Sequence, residues 1–152
     1  EKPSAEPWRI GSATVRRIAL NHPGSAQGFR IDDASGASVA YLTDNELVRG
    51  AAGKAALDDL ARFAANTGLL IHDSQYLDSD MPDKYGWGHS VIDDVVTLGA
   101  RAEARGVVLF HHDPNRTDDD LDAIKVRAAA LLAEQAPEAE LCVAIEGQSI
   151  EL

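Results

Sequence analysis

The sequence predicts an α/β protein whose sheet is partly parallel and covered by helices. Two short apolar runs, Gly68 to Ile71 and Gly106 to Phe110, have the length and composition of strands buried on both faces. Helical periodicity precedes the first run (Leu57, Leu60, Ala61, Ala64) and separates the two (Val91, Val95, Leu98, Ala102). Strands that alternate with helices are joined by crossovers, and crossovers make parallel neighbours.

The elements follow in order. Residues 1–13 read as a lead-in, and residues 14–152 as one domain. Thr14 to Leu20 alternates apolar and polar residues as a strand does, and Asn21-His22-Pro23-Gly24 breaks it. Gly28 to Ile31 and Ser38 to Leu42 form a hairpin across the turn Asp32-Asp33-Ala34-Ser35-Gly36. A helix is expected over Lys54 to Ala65, with the preceding glycines as its lead-in. Ser90 is expected to cap a helix running to Ala104. Thr117 and Asp120 make a capping box with Asp in place of Glu, opening a helix to Gln135 whose acidic first turn suits the helix dipole. Leu141 to Ile145 and Ser149 to Leu152 are expected to close the chain as a hairpin around Gly147.

Composition narrows the function. The 152 residues include 14 Lys+Arg and 25 Asp+Glu, a net charge of −11, which disfavours a broad nucleic-acid or anionic-membrane surface. Nucleic acid is therefore not an expected partner. No apolar run approaches the ~20 residues of a membrane span. The single cysteine, Cys142, excludes an internal disulfide and suits a reducing compartment, so a cytoplasmic location is expected. No Gly-x-Gly-x-x-Gly or Walker-type loop is present, which disfavours a nucleotide-binding domain. Arg116 is expected to pair with the acidic turn Asp118 to Asp120.

The chemistry concentrates in five histidines, none inside an expected helix. His22, His72, His111 and His112 end or follow strands, and His89 directly precedes a helix. Asp44, Asp73 and Asp113 stand at matching places, although Asp113, before Pro114, reads best as a turn residue. In open α/β sheets, ligand sites gather beyond the carboxyl ends of strands and at helix N-termini. Histidine and aspartate drawn from several strand ends form the ligand set of a zinc or similar divalent site.

Five segments then carry a family resemblance: Leu20 to Ile31, Val39 to Asp44, Leu69 to Tyr76, Gly86 to Ser90 and Val107 to Pro114. In this order and spacing the chain resembles the C-terminal half of metallo-β-lactamase-fold hydrolases, in the ribonuclease Z and phosphodiesterase branch. The resemblance implies half of an αββα sandwich, two divalent metal ions (zinc, with manganese or iron as alternatives) and hydrolysis of an ester, a small phosphodiester being preferred. It implies that His22, Asp44 and His112 are metal ligands, Asp44 bridging two ions, with His112 preferred over its neighbour His111. His89 resembles the family's non-ligand histidine that reaches into the site, and Asp73 the acid that orients it. His72 and His111 are left as candidates for the shell behind the ligands. Two ions about 3.5–4 Å apart stabilise both the attacking and the departing oxygen, which is the physical reason for such a set.

The family's His-x-His-x-Asp-His signature does not occur in the chain. The expected partner is therefore the missing N-terminal half or a second copy, covering a sheet face that would otherwise be exposed. The chain is expected to be a fragment of a longer hydrolase, inactive alone and acting on a small anionic ester when complete. The alternative is a non-catalytic module of the same fold that binds one ion or a partner.

Overall fold

The computed structural model describes residues 6–152. Among them the chain forms β1 (Trp8–Ile10), β2 (Ala13–Ala19), β3 (Gln27–Asp32), β4 (Ser38–Leu42), α1 (Gly50–Phe63), β5 (Leu69–Asp73), a 3-10 turn (Asp78–Asp80), α2 (Ile92–Arg101), β6 (Gly106–Phe110), α3 (Asp118–Gln135) and β7 (Glu140–Val143). The strands build one seven-stranded sheet in chain order. Neighbours from β1 to β4 pair antiparallel, and neighbours from β4 to β7 pair parallel through the helical crossovers. The carboxyl ends of β2, β4, β5, β6 and β7 therefore share one edge.

Register fixes which side chains meet the helices. Ala40, Leu70 and Val107 lie in one row and Leu42, His72, Leu109 and Val143 in the next. The apolar members of these rows join Leu60, Ala61 and Ala64 of α1, Val95 and Leu98 of α2, and Ile124, Ala128 and Leu132 of α3 in one core. Gly99 lets α2 approach closely, because a Cβ there would lie 2.3 Å from Val107 Cγ2. The capping box of α3 is present: Asp120 N–H donates to Thr117 Oγ1 at 3.2 Å, and Thr117 N–H to Asp120 Oδ2 at 2.9 Å.

Alternation sends Val15, Phe29, Ile31, Val39, Tyr41, Leu69, Ile71, Val108, Phe110 and Cys142 to the opposite face. None of these belongs to the helix-side core. Ile31, Tyr41 and Phe110 remain 40%, 37% and 36% exposed. Val15, Leu69 and Val108 on the same face are buried, so the face is open in part, around Ile31, Tyr41 and Phe110, as half a sandwich would leave it. No helix among the described residues is long and apolar enough to cross a membrane.

Several expectations differ from the structure. Part of the lead-in, Trp8–Ile10, is an edge strand on β2, held by an edge-on contact of Trp8 with Phe29; residues 1–5 lie outside the described residues. α1 begins at Gly50, before the expected Lys54. The closing hairpin is replaced by a single strand, β7, parallel to β6; a turn follows it, closed by Gln148 N–H on the Ile145 carbonyl, but residues 149–152 form no strand. Arg116 pairs with Asp80 of the 3-10 turn, not with the first turn of α3, and so fastens the 74–90 segment to the loop after β6.

Candidate active site

The site lies along the edge where the strands' carboxyl ends meet. His22 follows β2, Asp44 follows β4, Asp73 ends β5, His111 follows β6 and His89 precedes α2. Asp44 and His111 occupy the left-handed backbone region, with φ of 61° and 53°. That conformation turns the chain sharply as each strand ends, at a cost of about 1–2 kcal/mol per residue.

Ligand atoms of His22, Asp44 and His89 lie within 4.8 Å of one another. His111 Nε2 is 3.5 Å from Asp44 Oδ1. The His89 ring stands between the other two imidazoles, its centroid 5.5 Å from that of His22 and 5.1 Å from that of His111. Gly24 N–H donates to His22 Nδ1 at 3.1 Å, so a neutral His22 ring carries its proton on Nε2; ligating an ion through Nε2 requires the proton to move to Nδ1 and this contact to open. Ligands about 2.0–2.2 Å from a tetrahedral ion are roughly 3.2–3.6 Å apart. The Asp44–His111 gap matches such an edge. Two imidazoles and a carboxylate are the donor types that zinc takes, so these residues fit a divalent ion.

Asp73 organises the floor. Its side chain is fully buried. One oxygen accepts the N–H of Asn45 at 3.1 Å, and the other accepts the N–H of Ser90 at 3.1 Å and His89 Nδ1 at 3.2 Å. Burial pushes the carboxyl up, but the hydrogen bonds from His72 and His89, the His72 charge and the Asn45 N–H outweigh burial and hold it well below the usual carboxylate range. The Asp73 hydrogen bond in turn raises the His89 pKa; burial works against this, and the charges of Asp73, Asp44 and Glu46 add to it. His89 thus commits Nδ1 to Asp73 and has Nε2 left for the site. The chemical capacity of such a pair is proton donation by an imidazole held in one tautomer.

The other two histidines stand behind the site. His72 is fully buried, with Nδ1 2.7 Å from the Asp73 carbonyl and Nε2 3.1 Å from Asn45 Nδ2. His112, expected as a ligand in preference to His111, is not among the residues grouped within 4.8 Å at His22, Asp44 and His89. Its ring donates to the Ala144 carbonyl beyond β7, its Nε2 is buried without a partner, and burial lowers its pKa. Asp113 is a turn residue, its Oδ1 accepting the Asn115 N–H at 2.9 Å.

Sequence reasoning missed Asn45 and misread Ser90. Ser90 caps no helix: its hydroxyl donates to the Asn45 carbonyl at 2.6 Å and accepts the Leu47 N–H at 3.0 Å. Asn45 Oδ1 also accepts the N–H of Asn21, next to His22, at 3.0 Å. The loop after β4 thereby ties together the segments that carry His22, Asp73 and His89. The signal was their place beside site residues, in Asp44-Asn45 and His89-Ser90.

No protein-family model matches the chain. Ribonuclease Z of Pyrococcus furiosus is 31% identical over 107 residues, covering 70% of this chain and 28% of that protein. Among solved structures, the metallo-beta-lactamase fold protein YhfI from Bacillus subtilis matches with a TM-score of 0.74 at 20% identity, over 94% of this chain and 51% of that one. Human tRNase Z, short form, matches with a TM-score of 0.65 at 19% identity, over 95% and 45%. Unliganded yeast PDE1 matches with a TM-score of 0.70 at 15% identity, over 94% and 47%. The chain thus spans about half the length of these structures and 28% of the curated relative. The sheet order, the uncovered apolar face and these likenesses together identify the chain as a metallo-β-lactamase-fold protein, corresponding to the C-terminal half of that fold.

Proposed function

We propose that the chain is the C-terminal part of a metal-dependent hydrolase that cleaves a small phosphodiester, completed by an N-terminal half that covers the exposed sheet face. The observation that carries this reading is the meeting of His22, Asp44, His89 and His111 from four separate segments at one edge of the sheet. In this reading His22, Asp44 and His111 would hold divalent metal, zinc being the preferred ion. Bound ions supply Lewis acidity and lower the pKa of water. Asp73 holds His89 Nδ1–H, and His89 Nε2 gives its proton to the departing alkoxide oxygen. The fully buried Asp73 stays ionised throughout, so the imidazole keeps one orientation.

The comparisons do not support excluding nucleic acid. Similar structures include tRNase Z and a long-form RNase Z. The acidic charge argues only about this chain's surface, and another half brings its own. An RNA phosphodiester is therefore the competing substrate. We place the protein in the cytoplasm on the strength of its single cysteine.

The test is turnover by the full-length gene product with Zn²⁺ or Mn²⁺, on diesters with alkyl and with p-nitrophenyl leaving groups. A p-nitrophenolate needs little protonation. His89→Ala should therefore lose about 10²–10⁴-fold on the alkyl ester and far less on the aryl ester. Equal losses would remove His89 as proton donor, and unchanged turnover would remove it from the site. Faster cleavage of RNA than of small diesters would replace the substrate assignment. Tight binding of one ion without hydrolysis would favour a non-catalytic module.

A further inference from the structure

Residues 84–88, which lead into His89, form no helix or strand. Their own short-range hydrogen bonds are local: Tyr85 N–H donates to Pro82 and Trp87 N–H to Lys84. Tyr85 and Trp87 are exposed, so aromatic burial does not hold the segment down. Among the described hydrogen bonds, one side chain ties it to a distant part of the chain. Glu46 Oε1 accepts the N–H of Gly86 at 3.0 Å, and Oε2 accepts the N–H of Gly88 at 3.0 Å. The two oxygens of a single carboxylate therefore meet alternate amides of one loop.

Glu46 is itself pinned beside His22. Its N–H donates to the Asn21 carbonyl at 2.8 Å, and Asn21 Nδ2 donates to its carbonyl at 3.0 Å. It also stands two residues after Asp44. Gly88 then presses against the His22 ring so closely that a Cβ would lie 2.3 Å from Cδ2. One residue thus links, through backbone groups or a single amide, the places from which His22, Asp44 and His89 reach the site. Hydrogen bonds from N–H groups to a charged carboxylate are stronger than neutral ones, which suits Glu to the task.

We propose that Glu46 is a positioning residue that clamps the 84–88 segment against His22 and so sets where His89 stands relative to the metal-ligand cluster. This deepens the hydrolase reading above and rests on it for its kinetic consequence. The clamp itself can be tested without any activity.

Glu46→Gln keeps the side chain's shape and one acceptor but replaces the second with an N–H₂ that faces another N–H. Released from the clamp, the Lys84–Tyr85 bond should become a trypsin site. We expect cleavage there to rise at least about tenfold in Glu46→Gln and Glu46→Ala at an unchanged unfolding midpoint, as for a locally opened loop. In the full-length gene product Glu46→Gln should lower kcat about 10–100-fold with little change in KM, the order expected of a small misplacement of a reacting group. The loss should be larger for alkyl than for p-nitrophenyl diesters, following His89; a purely structural defect would lower both alike. Protection that depends on Glu46 in a protein without hydrolase activity would overturn the hydrolase reading and leave the clamp standing. Unchanged proteolysis and unchanged kcat in Glu46→Gln would overturn the clamp.

Discussion

Replacing Gly88 by alanine tests the packing on which the site's shape depends. Gly88 has φ of +89°, and an added Cβ would meet His22 Cδ2 at 2.3 Å and Pro23 Cδ at 2.7 Å. The backbone region alone costs a non-glycine residue about 1–2 kcal/mol. Forcing a methyl group into a packed contact adds typically 1–3 kcal/mol. Gly88→Ala should therefore lose about 2–5 kcal/mol, read as a fall of roughly 4–20 °C in the unfolding midpoint for a chain of this size. Gly86→Ala is the internal control, because its φ is +81° but nothing lies within 4 Å of a Cβ there. It should lose only the backbone part, about 1–2 kcal/mol. Urea denaturation of the two variants beside the parent chain isolates the contact with His22. Equal losses, or no loss at Gly88, would refute the claim that the segment before His89 is packed on the His22 ring.

Three further outcomes follow from the same geometry. Asp73→Asn should lower stability by about 1–3 kcal/mol at neutral pH, since it leaves the buried N–H and imidazole donors with a poorer acceptor. Because the folded carboxyl is held below its ordinary value, that stabilisation is present above about pH 4 and is lost as pH falls through the folded value; parent and variant unfolding curves should converge in acid, and parallel curves would contradict the assignment. His112 is held in its neutral form by burial, so the parent chain should lose stability as pH drops below about 6.5, and His112→Gln should flatten that slope in a series of melts. The chain alone should self-associate through its open sheet face; Ile31→Asp with Tyr41→Asp should reduce this in sedimentation while Val126→Asp, on the 73% exposed side of α3, should not, and equal effects would move the interface elsewhere.

Much of the fold is legible because its strands and helices carry unmixed signals. Gly106–Phe110 is read to the residue: four apolar side chains lie between a glycine start and the His pair, and local pattern and tertiary environment agree. α3 is likewise announced by a capping box whose two bonds form between residues three apart. The failures arise where partners are distant. Ser90 satisfies every local criterion for a cap, yet its hydroxyl binds a carbonyl 45 positions away. Leu141 to Leu152 has turn chemistry at Gly147, but beyond it the Gln148 side chain donates to Cys142 Sγ at 3.3 Å and residues 149–152 form no strand. The left-handed backbone at His111, φ of 53°, is likewise something that two adjacent identical residues do not reveal. The edge location of His22, Asp44, Asp73 and His89 was legible because strand ends are where parallel topology brings distant residues together. Asn45 and Glu46 were not, since their roles lie in which N–H groups they accept.

The central claim is that His22, Asp44 and His111 bind metal beside the His89–Asp73 pair. Its most direct test is anomalous scattering at the zinc edge from crystals of the zinc-loaded full-length gene product. The account predicts a peak about 2.0–2.2 Å from Asp44 and from a ring nitrogen of His111 or His22, with His112 still on the Ala144 carbonyl. A peak on His112, or zinc bound away from Asp44, would contradict it.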